Sequence, residues 1–271
     1  MTEAANSQLM AGKRGLVLGV ANDHSIAWGI ARALHGAGAE LALTYQDEAF
    51  RKRVEPLAQS LDAPIILPCD VEQPETLDAL FTAMADHWGG IEFLVHAVAF
   101  SDRTELRGRY VDTSRENFLR TLSISCFSFT DLARRAAPLM GEGGSMVTLS
   151  FLGAHRVMPS YNVMGVAKAA LEASVRYLAE DLGKDGVRVN AISAGPMRTL
   201  AGAAVGDARY VHRYSRDHAP LNRNVRLDEV GNSGLYLLSD LSSGVTGEVL
   251  YVDSGFNLVG IPRPDDGGER E

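Results

Sequence analysis

Strand-like and helix-like segments alternate along the whole chain of 271 residues. Short continuous hydrophobic runs are typical of parallel strands that are buried on both faces. Seven such runs predict strands: Gly15–Val20, Glu40–Tyr45, Ala63–Cys69, Ile91–Phe100, Ser145–Ser150, Val187–Ser193 and Gly247–Asp253. The longer segments between them predict crossover helices: Ile26–His35, Asp47–Leu61, Glu75–Trp88, Arg115–Met140, Tyr161–Leu182 and Asp228–Leu238.

This order of elements predicts one Rossmann-type α/β domain, a doubly wound, mostly parallel seven-stranded sheet with helices on both faces. A length of 271 residues suits one large domain and is short for two. We expect the core over about residues 12–257, with polar, flexible ends completing the single domain 1–271. Ligands of such sheets bind beyond the carboxyl ends of the strands, so the residues that follow strands are the functional candidates.

The composition excludes several classes of partner. Lys and Arg total 26 against 34 Asp and Glu, a net charge of −8, and this balance argues against nucleic-acid binding. No apolar run approaches the roughly 20 residues that a membrane span requires, and no signal peptide is visible, so we expect no membrane association. Cys69 and Cys126 form no metal-binding or disulfide pattern. Each is expected to be a small buried hydrophobe, no metal site is expected, and the reducing cytoplasm is the predicted compartment.

The loop after the first strand is the first candidate site. Gly19 ends that strand, and the next helix would present its free N–H groups to a pyrophosphate. Ser25 is placed to cap this helix or to bind the phosphate. Gly19 and Gly29 are nine residues apart, which is not the G-x-G-x-x-G spacing, so an ordinary strand–helix turn stays open as the alternative.

The ends of the second and third strands indicate which dinucleotide would bind. Asp47 and Glu48 follow the second strand, with no basic residue before Arg51. These acids would repel a 2′-phosphate, which favours NADH over NADPH. Asp70 follows the third strand and is expected either to accept the adenine amino group or to cap the following turn.

The segment from Tyr161 to Lys168 carries the candidate chemistry. Seven residues are close to two turns of an α-helix, so the two side chains are expected on one face. An ammonium beside a phenol favours the phenolate and supports proton donation or oxyanion stabilisation by the Tyr oxygen. The alternative is an exposed helix face that happens to carry Tyr and Lys.

These features together resemble a known family. The matching stretches are Gly19–Ala21, Ser25–Ala27 with Gly29, Glu40–Ala42, Tyr161–Gly165 with Lys168, Arg188–Pro196, Arg198–Leu200 and Ser239–Ser242. From about Gly12 to Asn257 the chain resembles the NADH-dependent enoyl-acyl-carrier-protein reductases of bacteria, a divergent branch of the short-chain dehydrogenase/reductase superfamily. Six residues separate Tyr161 from Lys168, whereas ordinary ketoreductases of the superfamily have three.

The resemblance implies reduction of the 2,3-double bond of a trans-2-enoyl thioester on acyl carrier protein, the last step of fatty-acid elongation. Tyr161 and Lys168 would be catalytic, with Tyr161 stabilising the enolate oxygen and Lys168 holding the cofactor ribose. The implied NADH/NAD contacts are Gly19, Ser25, Ile26, Gln46, Asp70, Val71, Val98, Lys168, Met197, Arg198, Thr199, Leu200 and Ala201. The implied substrate contacts are Ser101, Phe151 and Tyr161. The family also implies a cytoplasmic homotetramer.

Two positions depart from the family pattern. Phe151 stands where the family usually has a second tyrosine, so the aromatic wall remains but a hydroxyl is lost. Ala99 stands where the family commonly has Gly, which narrows the space beside the nicotinamide.

The segment 198–226 is basic within an acidic protein. It contains Arg198, Arg209, Arg213, Arg216, Arg223 and Arg226 against Asp207 and Asp217, so its net charge is +4. In the family this region is the substrate-binding loop and helix, and a basic rim would suit an acidic carrier protein. The alternative is a solvated helix face whose arginines pair with acids elsewhere in the fold.

Two other functions stay open at this point. The chain could be a related short-chain reductase that acts on a ketone or a specialised polyketide intermediate. It could also be a non-catalytic NAD-binding regulator, although such a sensor has no need for both Tyr161 and Lys168.

Overall fold

The computed structural model describes residues 8–200, 202 and 206–261. Seven parallel strands form one sheet in the order β3-β2-β1-β4-β5-β6-β7. The strands are β1 (Arg14–Leu18), β2 (Glu40–Tyr45), β3 (Ile65–Pro68), β4 (Phe93–His96), β5 (Gly144–Ser150), β6 (Val187–Ala194) and β7 (Val249–Val252). The predicted Rossmann-type sheet is confirmed, and the order of the strands reverses between β1 and β4.

Helices cover both faces of the sheet. They are α1 (Ile26–Gly36), α2 (Glu48–Gln59), α3 (Pro74–Trp88), α4 (Arg115–Leu122), α5 (Ser128–Ala136), α6 (Asn162–Gly183), α7 (Ala208–His218) and α8 (Leu227–Leu238). Among the helices of this described part, none is long and apolar enough to cross a membrane.

Alternation along the strands builds a separate core on each face. Successive side chains of a strand point to opposite faces. Val17 accordingly packs in the cluster formed with α1, α2 and α8, whereas Leu16 and Leu18 pack in the cluster formed with α3, α5 and α6. Both faces are apolar because both are covered, which explains the continuous hydrophobic runs of the central strands.

The predicted helix Arg115–Met140 is interrupted. A π-turn at Ser123–Phe127 separates α4 from α5, and a 3₁₀ turn follows α5. The wider turn buries Ser125, whose hydroxyl accepts from the Phe100 N–H at 2.9 Å and donates to the Phe100 carbonyl at 3.0 Å. β4 ends at His96 and is shorter than the predicted strand, and the Phe100 backbone four residues later bonds to this turn instead of to a strand.

Two residues qualify the predicted limits of the core and the predicted burial of the cysteines. Met10 lies before the predicted start of the core but is fully buried against β1 and α1. Cys69 is buried as expected, and burial raises the pKa of its thiol to about 12. Cys126 is free and only partly buried.

Candidate active site

The loop between β1 and α1 is shaped by Gly19 and Ser25. Gly19 has a φ of +97°, and a Cβ there would lie 2.1 Å from the Ala97 carbonyl oxygen, so only glycine fits. The Ser25 hydroxyl accepts from the N–H groups of Ala21 at 3.0 Å and Asn22 at 3.1 Å. Ser25 occupies the N-cap position of α1, but its side chain folds the loop instead of capping the helix. The first N–H groups of α1 therefore stay available for an anion at the end of β1.

The ends of β2 and β3 lie side by side. Gln46 Nε2 donates to Asp70 Oδ2 at 3.5 Å, which brings together two of the predicted cofactor residues. The other carboxylate oxygen of Asp70 accepts from the Glu72 N–H at 3.0 Å. Asp70 therefore caps the following turn, as one of the two predictions stated, and keeps its second oxygen beside Gln46.

Charge at the end of β2 fits a ribose with a free 2′-hydroxyl. Asp47 is the N-cap of α2, where its carboxylate accepts two backbone N–H groups. Arg51, the nearest cation, lies 3.5 Å from Glu48 and 3.1 Å from Glu55. Since carboxylates surround this arginine, it offers little attraction to a 2′-phosphate. The residues present therefore fit NAD(H) better than NADP(H).

Lys168 lies on α6 under the end of β5. It is 6% exposed, and its Nζ donates to the Leu149 carbonyl at 2.7 Å. Burial lowers the pKa of this ammonium to about 8, while the nearby Cys126 and Glu172 act in the opposite direction. The position is buried, so the alternative of an exposed Tyr–Lys face is wrong.

Tyr161 precedes the first residue of α6 and packs against the segment that follows β5. It is buried, and its ring meets that of Phe151 edge to face, with centroids 5.1 Å apart. Gly153 is necessary for this placement, because a Cβ there would lie 2.3 Å from Tyr161 Cδ1. Burial, supported by the charge of Glu172, raises the pKa of the phenol above its ordinary value. Burial thus outweighs the expected preference for phenolate, and Tyr161 is held as a protonated donor.

The backbone around Tyr161 is unusual. Ser160 has a φ of +52° and Asn162 a φ of +39°, both in the left-handed region that side chains seldom adopt. The Ser160 hydroxyl donates to Asp207 at 2.7 Å, and Asn162 Nδ2 donates to the Glu105 carbonyl at 3.3 Å. Two neighbouring segments therefore hold the turn that presents Tyr161.

Comparison with known proteins decides the family. The family model described as enoyl-(acyl carrier protein) reductase matches residues 19–257. The chain belongs to this family. It is 61% identical over 254 residues to enoyl-[acyl-carrier-protein] reductase [NADH] 2 of Rhizobium meliloti (strain 1021), covering 94% of this chain and 95% of that protein. It is 53% identical over 252 residues to the reductase [NADH] FabI of Rickettsia bellii (strain RML369-C), covering 93% and 96%.

A solved structure agrees with this assignment. The enoyl-(acyl-carrier-protein) reductase of Anaplasma phagocytophilum in complex with NAD superposes with a TM-score of 0.93 at 56% identity. The match covers 97% of this chain and 100% of that chain. The resemblance found in the sequence motifs is thereby confirmed.

The other residues of this reductase-family chain that are predicted to contact cofactor or substrate differ in their burial and hydrogen bonds. Ser101 is buried, donates to Asn117 Oδ1 at 3.3 Å and accepts from the Thr121 hydroxyl at 2.9 Å. Val98 and Met197 are half-buried against the core. Ile26 and Val71 are half-buried, and Arg198 is exposed. The Thr199 hydroxyl accepts from the Gly202 N–H at 2.9 Å. Leu200 is exposed, and Ala201 lies outside the described residues. Their contacts with cofactor or substrate stay predictions.

A buried cluster beside Lys168 was missed from the sequence. Glu172 bonds to Ser150 and His155, each at 2.5 Å. The available signal was the spacing, since Glu172 follows Lys168 by four residues and so shares its helix face.

Proposed function

We propose that this chain reduces the 2,3-double bond of trans-2-enoyl thioesters on acyl carrier protein with NADH, the last step of the fatty-acid elongation cycle. The observation that carries the proposal is the burial of Tyr161 and Lys168 together against the end of β5. The names of the relatives from Rhizobium meliloti and Rickettsia bellii support the reaction and the cofactor.

Tyr161 stabilises the negative charge that develops on the substrate. NADH, when bound, supplies a hydride for the β-carbon of the enoyl thioester. Charge then develops on the thioester oxygen of the enolate, and the Tyr161 hydroxyl donates a hydrogen bond to it. A proton from water, taken up by the α-carbon, completes the reduction. The raised pKa of the phenol keeps the proton on Tyr161 at neutral pH. A preplaced donor in a site with little water is worth several kcal/mol in a transition state.

Lys168 provides a cation close to the same oxygen. Its Nζ is held by the Leu149 carbonyl, and this contact aims the ammonium at the end of β5. The ammonium holds the ribose hydroxyls of the cofactor and adds a favourable field at the developing oxyanion. A pKa of about 8 keeps Lys168 mostly protonated at neutral pH.

Absorbance of NADH with a crotonyl thioester tests the reaction. Decay at 340 nm that needs the enoyl thioester supports the proposal. Turnover of ketones alone would indicate the related short-chain reductase instead. Binding of NADH without turnover of either substrate would indicate the regulator.

A basic surface on α7 supports an acidic carrier protein as partner. Three of the six arginines in the segment 198–226 pair with nearby acids: Arg216 with Asp217, Arg223 with Glu229, and Arg226 with Asp228 and Glu229. Arg209 and Arg213 are exposed and form no ion pair within the described residues. Their charge is therefore available to steer an anionic partner.

Charge reversal on α7 tests the carrier-protein surface. We expect Arg209→Glu with Arg213→Glu to lower kcat/KM for a carrier-protein substrate about tenfold while changing that for a coenzyme A thioester less. Arg32→Glu with Arg53→Glu is the matched control, because it reverses two exposed arginines that lie on α1 and α2 and not on α7. Equal losses with both substrates would contradict the docking role.

We also infer a homotetramer that acts in the cytoplasm. An exposed apolar strip on α4, the π-turn and α6 supports the assembly. It consists of Leu119, Phe127, Val166 and Tyr177. Light scattering should give a molar mass of four times 29.2 kDa, and the Phe127→Glu substitution in the strip should lower that mass. The free thiols of Cys69 and Cys126 support the reducing compartment.

A further inference from the structure

Glu172 is a buried carboxylate for which the reaction above has no use. Its side chain is only 2% exposed. Oε1 accepts from the Ser150 hydroxyl at 2.5 Å, and Oε2 lies 2.5 Å from His155 Nε2. A buried carboxylate with two short contacts is held in one orientation, and an ionised one needs a compensating charge nearby.

The last two residues of β5 hold Lys168 and Glu172 one helical turn apart. The Leu149 carbonyl accepts from Lys168 Nζ, and the adjacent Ser150 hydroxyl donates to Glu172. Residues four apart on a helix lie on the same face. The strand end and the helix therefore fix the ammonium and the carboxylate relative to each other.

His155 connects this buried pair with solvent. Its side chain is 49% exposed, whereas that of Glu172 is almost completely buried. His155 follows β5, and its ring lies 6.4 Å from that of Tyr251 on β7. His155 therefore holds the Glu172 carboxylate from the solvent side.

We propose that Glu172 is a positioning residue that supplies Lys168 with a fixed, buried counter-charge during turnover, with Ser150 and His155 holding its carboxylate in place. The inference rests on the proposed function, in which Lys168 acts as a cation. Glu172 itself touches neither cofactor nor substrate in this account and acts through Lys168.

The surrounding charges determine the direction of the effect. The titratable and charged groups near the pair are His96 on β4, Cys126 on the π-turn, His155 and Arg156 after β5, Tyr161 before α6, and Tyr251 with Asp253 near β7. Burial lowers the pKa of Lys168, and Cys126 and, to a smaller extent, Glu172 raise it again. Removing the carboxylate charge therefore lets Lys168 lose its proton at a lower pH. The charge of Glu172 also raises the pKa of Tyr161, so both groups respond in the same direction.

The test compares Glu172→Gln, which keeps the shape and loses the charge, with Glu172→Asp, which keeps the charge. The readout is the pH profile of kcat/KM for NADH, measured with the full chain and a crotonyl thioester. We expect the alkaline limb to move down by about 0.5–1 pH unit in Glu172→Gln. In Glu172→Asp it should stay within about 0.3 unit of the wild type. Glu180→Gln, an exposed position on the same helix, is the matched control.

Equal profiles of the Gln and Asp variants, or a pH-independent loss of rate in both, would mean that Glu172 only supports packing and would overturn the proposal. His155→Gln provides a second variant at a half-exposed position that keeps a hydrogen-bond donor for Glu172, and its alkaline limb should stay within about 0.3 unit of the wild type. A shift there as large as that of Glu172→Gln would mean that the contact with His155, and not the charge of Glu172, determines the alkaline limb, and it would overturn the proposal. If the wild type does not turn over the enoyl thioester at all, the proposed function fails first, and the two failures are thus distinguishable.

Discussion

The cofactor end and the chemical end of the site are built in different ways. At the ends of β1 and β3, Ser25 and Asp70 bond to backbone N–H groups only two to four residues away. At the end of β5, Lys168 and Glu172 bond to groups 17 to 22 residues away, and both side chains are buried. One end is thus a set of locally folded loops, and the other is a small buried electrostatic system.

This difference predicts what each end controls. Local loops at a strand end offer backbone groups to a ligand, so damage to them should affect NADH binding. Buried charges interact strongly because water does not screen them, so changes there should affect turnover and its pH dependence. The predictions below test this separation.

The largest effect is expected from Tyr161→Phe, which removes only the hydroxyl. Loss of one preplaced donor at an oxyanion costs about 10²–10³ in kcat. The ring packing against Phe151 and Gly153 remains, so the dissociation constant for NADH should change less than about twofold. Stopped-flow turnover and fluorescence titration measure the two quantities. An equal loss of kcat and of NADH affinity would contradict the separate roles of the two ends.

A pair of glycine substitutions sharpens the comparison. In Gly153→Ala the new Cβ meets the Tyr161 ring at 2.3 Å, so we expect kcat to fall about tenfold or more with NADH binding retained. In Gly19→Ala the Cβ meets the Ala97 carbonyl at 2.1 Å, so we expect weaker NADH binding and a loss of about 1–3 kcal/mol of stability. Gly183→Ala is the control, because a Cβ at Gly183 has no heavy atom within 4 Å. The reverse pattern would contradict the assignment of the two ends.

The fold was predictable because its signals are local. Seven hydrophobic runs separated by helical segments correspond to the seven strands of the sheet, since each central strand is buried on both faces. The π-turn was not predictable, because its cause is the bond between Ser125 and the backbone of Phe100, 25 residues away. Pattern alone shows that a segment is helical and not where a distant contact widens one turn.

The site was predictable to the extent that motifs carry it. The spacing of Tyr161 and Lys168 identified the chemical end, but the direction of the pKa of Tyr161 depends on burial, which spacing does not contain. Ser25 was expected at a cap or phosphate, and the structure uses its side chain to fold the loop. The four-residue spacing places Glu172 on the helix face of Lys168, but its contacts with His155 and Ser150 arise only from the packing of α6 on β5, so the local pattern could not indicate the cluster.

A smaller effect, on the free energy of unfolding at acidic pH, is expected from His96 at the end of β4. Its ring is fully buried between Thr148 and Ser128, and burial together with the charge of Lys168 lowers its pKa to about 3, against 6.5 ordinarily. Between these values the unfolded chain binds a proton that the folded chain excludes, so stability falls as the pH drops below 6.5.

Urea unfolding of the wild type and His96→Gln at one protein concentration isolates this group, because the other acids titrate in both. From pH 6.5 to 5 the wild type should lose about 1–2 kcal/mol more than the variant. The comparison of the two ends predicts that this pH dependence of stability comes from a buried group at the chemical end, and not from the cofactor loops. Parallel curves for the two proteins would show that His96 does not contribute.

The smallest effect is expected at Ser25, where the cofactor loop depends on one hydroxyl. Ser25→Ala leaves the Ala21 and Asn22 N–H groups without their acceptor, at a cost of about 1 kcal/mol in a loop that water can reach. We expect the dissociation constant for NADH to rise about three- to tenfold while kcat at saturating NADH is unchanged. Ser60→Ala, which removes an exposed bond to the Leu57 carbonyl, is the matched control. Because the loop is built from local bonds, its loss should not reach Tyr161, and a fall in kcat would mean that the two ends are coupled through the first strand.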